Sequence, residues 1–162
     1  MNTRGFTLIE TLVYLALFAI IIGGFVAASY MLFETSDRNQ TKAMMQEEAN
    51  FLIGKLNLVM SGMQSVTTPL IVAPATTASD SALAVTKYDG STFTVFQSGA
   101  NMQLNGETLN NSNVTISKLV FIHTYAGGTN PESVEAGFTI SAKTPTGATV
   151  SEIASTTRYI RK

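Results

Sequence analysis

The segment Thr11 to Phe33, TLVYLALFAIIIGGFVAASYMLF, runs for 23 positions without a charge. Roughly 20 apolar residues suffice to cross a bilayer as a helix. A membrane span is therefore the first expectation, and the rest of the chain is organised around it. Of 162 residues, 45% are hydrophobic and only 13% charged, where soluble domains carry about 25% charged residues. The excess apolar content is concentrated in the first 33 positions, and the remainder of the chain has the length of one domain. Lys and Arg number 10 against 11 Asp and Glu, so no basic footprint marks nucleic acid as the main partner. The absence of cysteine removes disulfides, thiolate zinc sites and a Cys nucleophile. It does not fix the compartment, because exported proteins can do without bridges.

Just upstream stands Arg4-Gly5-Phe6-Thr7-Leu8-Ile9-Glu10, with one base and one acid; the next charge after Glu10 is Glu34. The initiator amine and Arg4 before the span, with Glu34 and Asp37 after it, put the N-terminus in the cytoplasm by the positive-inside rule. Three accounts fit the segment. A secretory signal could be cut after Val26-Ala27-Ala28, before Ser29, but Glu10 interrupts it and the apolar run exceeds the usual 7 to 15 residues of such a core. A plain uncleaved anchor leaves Glu10 without a role. Thr7-x-x-Glu10 also has the spacing of a capping box, in which the Glu carboxylate reaches back to the Thr amide.

The third account uses Gly5 and Phe6 as well. Gly5-Phe6-Thr7-Leu8-Ile9-Glu10 followed at once by a long apolar helix resembles the type III signal of type IV pilins and pseudopilins. The resemblance covers the first 33 residues by motif and the remainder only in architecture. It implies that residues 1–5 are a leader, that a prepilin peptidase cuts between Gly5 and Phe6, and that Phe6 becomes the N-methylated first residue. It further implies that Glu10 sets subunit register by charge pairing. A new amine at Phe6 would sit at the positive end of a helix dipole, one turn from Glu10. That acid could neutralise its own amine through an i,i+4 contact or that of a neighbour in a bundle. A lone charge costs roughly 2.5–3.5 kcal/mol at mid-bilayer and less near the interface.

Beyond the hydrophobic transmembrane and assembly helix of residues 6–33, an apolar stripe persists through polar sequence. Met45, Ala49, Leu52, Leu56, Val59 and Met63 are spaced 4, 3, 4, 3 and 4, a helical face. Residues 34–64 are thus expected to continue the helix in amphipathic form. At about 1.5 Å per residue the rod would approach roughly 90 Å. Gly23-Gly24 and Thr35-Ser36-Asp37 are the places where it could break; a glycine costs about 1 kcal/mol relative to Ala. In the family this segment tolerates local melting on fibre packing. Met44, Met45, Met60 and Met63 are expected as core filler.

Residues 65–162 are expected to form an antiparallel β-sheet domain. Ser65 to Ala82 has no periodicity and is expected as a loop. Asp89-Gly90 and Asn105-Gly106 are hairpin signals between short strands. Val114 and Ile116 alternate in one phase while Leu119, Phe121 and His123 take the other, which predicts a bulge near Ser117-Lys118. Val134 to Lys143 alternates cleanly, and Pro145-Thr146-Gly147 turns into a last strand. The expected fold class is α+β: a long helix whose first half spans the membrane, packed on one meandering antiparallel sheet of five to seven strands. The pilin resemblance implies the same shape.

Chemistry is sparse. The one histidine, His123, lies within a strand, where a satisfied side chain is expected over a general base. No serine stands in a nucleophile elbow and no glycine-rich loop opens a helix, so no enzyme activity and no cofactor are expected. Asn130, Glu132 and Glu135 carry oxygens but lack the spacing of a calcium loop, and no metal is expected. Arg158, Arg161 and Lys162 could touch DNA in a tip-binding minor pilin, although terminal charges usually mark a solvated edge strand. The resemblance implies a structural subunit, a minor pilin or minor pseudopilin, of a type IV pilus, type II secretion or competence fibre. Its implied partners are the prepilin peptidase, other pilins and an assembly platform protein. Its implied location is the inner or plasma membrane as a single pass, with the sheet domain outside the cytoplasm, and then the fibre. The alternatives are the DNA- or surface-binding tip subunit and an anchored or secreted β-domain unrelated to pili.

Overall fold

The computed structural model describes residues 7–71, 76–125 and 131–160. One helix, α1, spans Leu8–Met60. It passes without interruption through Gly23-Gly24 and through Thr35-Ser36-Asp37. At the second of these places the Thr35 hydroxyl donates to the Met31 carbonyl at 2.8 Å, so the side chain is satisfied without leaving the helical path. Arg38 and Glu34 add an i,i+4 ion pair at 2.9 Å.

The chain divides into two units, residues 1–39 and 40–162. In the second, Thr41, Met45, Ala49, Leu52, Leu56, Val59 and Met60 of α1 are buried. This is the stripe read from the sequence, extended one turn upstream. The helix stops at Met60 rather than at residue 64, because Gly62 takes a left-handed φ of 71°. The Lys87 ammonium donates to the Leu58 carbonyl at 2.9 Å, occupying one of the acceptors exposed at a helix end. Met63, expected as the last helical position, instead opens the first strand and is buried there.

Among the described residues nine strands come after the helix: β1 Met63–Thr68, β2 Thr77–Asp80, β3 Ala82–Lys87, β4 Thr92–Ser98, β5 Asn101–Leu104, β6 Glu107–Thr108, β7 Val114–Thr124, β8 Ser133–Lys143 and β9 Thr149–Tyr159. They form two antiparallel sheets rather than one, ordered β1-β3-β4-β5-β6 and β2-β7-β8-β9. The division falls between β6 and β7, and the expected loop of residues 65–82 adds an edge strand to each sheet. β1 pairs with β3 in the first sheet and β2 with β7 in the second. Each lies at an edge and buries little, with Met63 the sole buried residue of β1 and none in β2. Neither leaves the alternation that a half-buried strand would write into its sequence.

The hairpins match their turn chemistry. Asn105 and Gly106 both have positive φ, 52° and 88°, as a type I′ turn demands. In β7 the pairing with β8 shifts between Ser117 and Val120, and Lys118 sits at φ 53°. The bulge turns Val114 and Ile116 before it, and Leu119, Phe121 and His123 after it, all inward. The two sheets share one buried cluster with α1, including Leu83, Val95 and Met102 from the first sheet and Phe121, Phe138 and Ile140 from the second. Met45 and Met60 also belong to it, and Met44 packs against it.

Side chains far apart in sequence fasten this unit. Glu48 on α1 accepts from the Asn111 backbone N–H at 2.8 Å and from its amide nitrogen at 2.9 Å. Asn57 Oδ1 accepts from the Thr156 hydroxyl at 2.9 Å and from Arg158 Nε at 3.0 Å. Buried Asn110 accepts from the Met102 N–H at 2.8 Å and donates to the Val114 carbonyl at 3.3 Å, tying the first sheet to the start of β7.

Candidate functional site: the apolar helix and its acid

Thr7 precedes the first turn of α1, and the Glu10 and Thr11 N–H groups donate to its carbonyl at 3.1 and 3.3 Å. The Glu10 carboxylate turns back toward it. Glu10 Oε2 accepts from the Thr7 N–H and from the Thr7 hydroxyl, both at 3.4 Å. These are long contacts, but they have the direction of the acidic half of a capping box. The carboxylate also lies in the first turn, where the helix dipole favours negative charge. Gly5 and Phe6, where the pilin resemblance implies cleavage and methylation, lie outside the described residues.

From Glu10 the helix continues for 23 uncharged positions, and its most apolar 18-residue window is not buried at all. Ile20 is 71% and Phe25 74% exposed. Isoleucine and phenylalanine on every side of a helix cannot be covered by one stripe of contacts, so this pattern fits surroundings that are themselves apolar. Between Arg4 and Glu34, Glu10 is the one acidic or basic side chain.

The remaining candidates are occupied by structural roles. His123 is buried, with Nδ1 at 3.0 Å from the Pro69 carbonyl oxygen and Nε2 at 2.9 Å from Glu132 Oε1. Both ring nitrogens are therefore engaged, as the satisfied strand histidine requires. Glu132, considered as an oxygen ligand, has its carboxylate at that ring, whereas Glu135 lies exposed on β8 opposite Ile122 and Thr157. Asn130 lies outside the described residues. No group of three or more His, Cys, Asp or Glu suited to a metal occurs among the described residues. Of the three terminal bases, Arg158 is tied to Asn57, and Arg161 and Lys162 lie outside the described residues. A cleft of about 430 Å³ lies where α1 ends, lined in part by Met60, Gly62, Tyr88, Arg158 and Tyr159.

Sequence reading did not find the Glu48–Asn111 and Asn57–Arg158 links. Their partners are 63 and 101 residues apart, and no local spacing signals such a contact. Asp89 belongs to a short-range pattern that could have been found. Its carboxylate accepts the Ser91 hydroxyl at 2.6 Å and the Ser91 N–H at 2.8 Å. Those two bonds, the hydroxyl first, hold its pKa below the ordinary carboxylate value.

Comparison with known proteins bears on the N-terminus alone. Residues 1–26 match the family model described as the prokaryotic N-terminal methylation motif. Residues 1–26 thus carry a type IV pilin-like prepilin signal, and the exposed apolar helix that begins within them fits membrane anchoring. The signal is of the kind found on pilin- and pseudopilin-type prepilins, which a prepilin peptidase processes before they assemble with other pilins. Comparison with curated proteins gives no match, and comparison with solved structures gives none.

Proposed function

We propose that this protein is a minor pilin or minor pseudopilin, a structural subunit of a type IV pilus, type II secretion or competence fibre. On this reading residues 1–5 are removed after Gly5, Phe6 becomes the methylated first residue, and residues 6–33 cross the inner or plasma membrane once. The β-sheet unit then lies outside the cytoplasm, and an assembly platform protein passes the subunit into the fibre. Subunits of this kind act by packing, which agrees with a His123 locked between two partners.

One observation carries the reading: a single acid in the first turn of a helix whose next 23 residues are uncharged and almost all exposed, inside the residues 1–26 that match a methylation motif. Cutting before Phe6 creates an ammonium one turn from Glu10. That amine competes with the Thr7 amide for the carboxylate, and a charged donor binds it more strongly than a neutral one. Where the amine belongs to a neighbouring subunit, the same attraction fixes the height at which two helices pack.

Intact mass and N-terminal sequencing of the membrane-extracted protein test the processing; a start at methylated Phe6 is expected, and a start at Ser29 or Met1 rejects it. Substituting Glu10 tests the pairing. Glu10→Gln keeps an oxygen to accept from Thr7 and removes only the charge. It is expected to lower incorporation into fibres by about tenfold or more, in line with the cost of an unpaired charge in lipid. If Glu10→Gln incorporates normally while Glu10→Ala does not, the acid is a helix cap and the pairing is wrong.

A further inference from the structure

Among the described residues the two sheets end in four edges, and three of them are poor templates for another strand. β2 has four residues and β6 two, while β1 is broken by two register shifts. β9 differs. Its eleven residues pair one by one with β8 with no register shift, and it is the last strand of its sheet. It contains no Pro and no Lys, and its charges are limited to one acid and one base, Glu152 and Arg158.

The direction of its free backbone groups is set by one bond. The Ile160 N–H donates to the Glu132 carbonyl at 2.8 Å, in the same register that places Tyr159 opposite Ser133. Hydrogen-bonded pairs alternate along an antiparallel ladder. The even-numbered residues of β9 therefore bond to β8, and the N–H and C=O groups of Ser151, Ile153, Ser155, Thr157 and Tyr159 point to the open side.

Both charges of β9, Glu152 and Arg158, are exposed; Arg158 Nε is bonded to Asn57 Oδ1, which leaves its two terminal guanidinium nitrogens for a further carboxylate. Glu152 and Arg158 stand three residues either side of Ser155 and, being six apart, project from the same face. An antiparallel copy of β9 centred on Ser155 brings Glu152 opposite the second copy's Arg158, and Arg158 opposite the second copy's Glu152. The same register makes 151/159, 153/157 and 155/155 the hydrogen-bonded pairs, which are the residues whose backbone groups are unused. Charge matching selects this alignment, and backbone parity, which admits any register centred on an odd-numbered residue, permits it. On the outer face, Ile153, 79% exposed, falls diagonal to the second copy's Tyr159, itself 63% exposed, within reach for an aromatic and β-branched contact.

We infer that the β9 edge is a self-recognition surface, through which two copies of this chain join their four-stranded sheets into one across a two-fold axis at Ser155. The inference stands apart from the pilin reading, because it uses only the sheet unit and holds whether or not Phe6 is the first residue.

The chain has no native cysteine, so single thiols report on the contact in the full-length protein, in membranes or detergent micelles under mild oxidation. Ser155→Cys places two thiols on directly opposed residues about 5.5 Å apart at Cα, within disulfide range. Ser151→Cys, exposed on the same face, puts them roughly 27 Å apart along the strands. The expected result is a disulfide-linked dimer for Ser155→Cys exceeding that of Ser151→Cys by about tenfold. In the Ser155→Cys background, Glu152→Arg is expected to cut the yield several-fold and Glu152→Arg with Arg158→Glu to restore it. Equal yields from the two thiols, no linked dimer, or cross-linking of Ser155→Cys to a different protein instead would overturn the inference.

Discussion

The two ends of α1 put similar apolar residues to opposite uses. From Leu12 to Phe33 leucine, isoleucine and phenylalanine occupy all sides of the helix and stay exposed. From Thr41 to Met60 a buried stripe separates out, with Met45, Leu52 and Leu56 completely buried, while Phe51 and Leu58 off the stripe stay exposed. The difference lies in where the polar residues fall. Between 41 and 60 they separate the stripe from solvent and let sheets cover one face, whereas no such face exists between 11 and 33. A helix apolar all round needs an apolar environment from outside its own chain, while a striped one can be satisfied by its own sheets.

Leucine truncation should separate the two regions most sharply. Leu52→Ala removes a fully buried side chain and is expected to lower the stability of the sheet unit by about 2–5 kcal/mol. Leu17→Ala, at a position 52% exposed, is expected to leave that unfolding transition unchanged. Thermal or denaturant unfolding of both variants decides it, and equal losses would erase the distinction. Glycine replacement gives a smaller effect of opposite sign. A Cβ on Gly23, Gly24 or Gly54 meets nothing within 4 Å, so alanine fits at each. Gly54→Ala should raise the stability of the sheet unit by about 0.5–1 kcal/mol, and Gly23→Ala with Gly24→Ala should not move it. If that double variant nevertheless impairs fibre assembly, the glycine pair serves packing or local melting rather than the isolated helix.

The smallest effect belongs to Asp89, whose pKa is lowered by the Ser91 hydroxyl and N–H. Its contribution is present above the unfolded-state carboxylate value and is lost as pH falls through the lower folded-state value. Protection of the Ser91 amide, taken relative to its intrinsic exchange rate at each pH, is expected to fall over that interval in the wild type and to show no such step in Asp89→Asn. A wild type without the step would remove the assignment.

What was legible in the sequence tracked burial. The stripe on α1, the alternation of β8 and the phase change in β7 each record side chains that face a core, so composition alone located them. The Asn105-Gly106 turn was legible because few other residues accept two successive positive φ values. β1 and β2 were not, since an edge strand with one neighbour and little buried surface can be built from Thr, Ser and Ala in almost any order. The split into two sheets, which falls between β6 and β7, also went unseen. At the candidate site, Glu10 stood out because a charge in an apolar run is costly, and its capping geometry with Thr7 was one of the readings its spacing allowed. The anchoring of Asn57 to Thr156 and Arg158 left no trace, because both partners are ordinary surface residues until the fold brings them together.

The extra residue in β7 works like a frameshift within a strand. Upstream of Ser117 the even positions face inward, and downstream of Lys118 the odd ones do, so one insertion resets the parity of everything behind it. Were residues 117–119 to run as regular strand with Lys118 retained, either Val114 and Ile116 or Leu119, Phe121 and His123 would face water, whereas deleting Lys118 would bring both sets into one parity. The irregular step is what lets a strand of eleven residues keep the same side toward the interior from one end to the other.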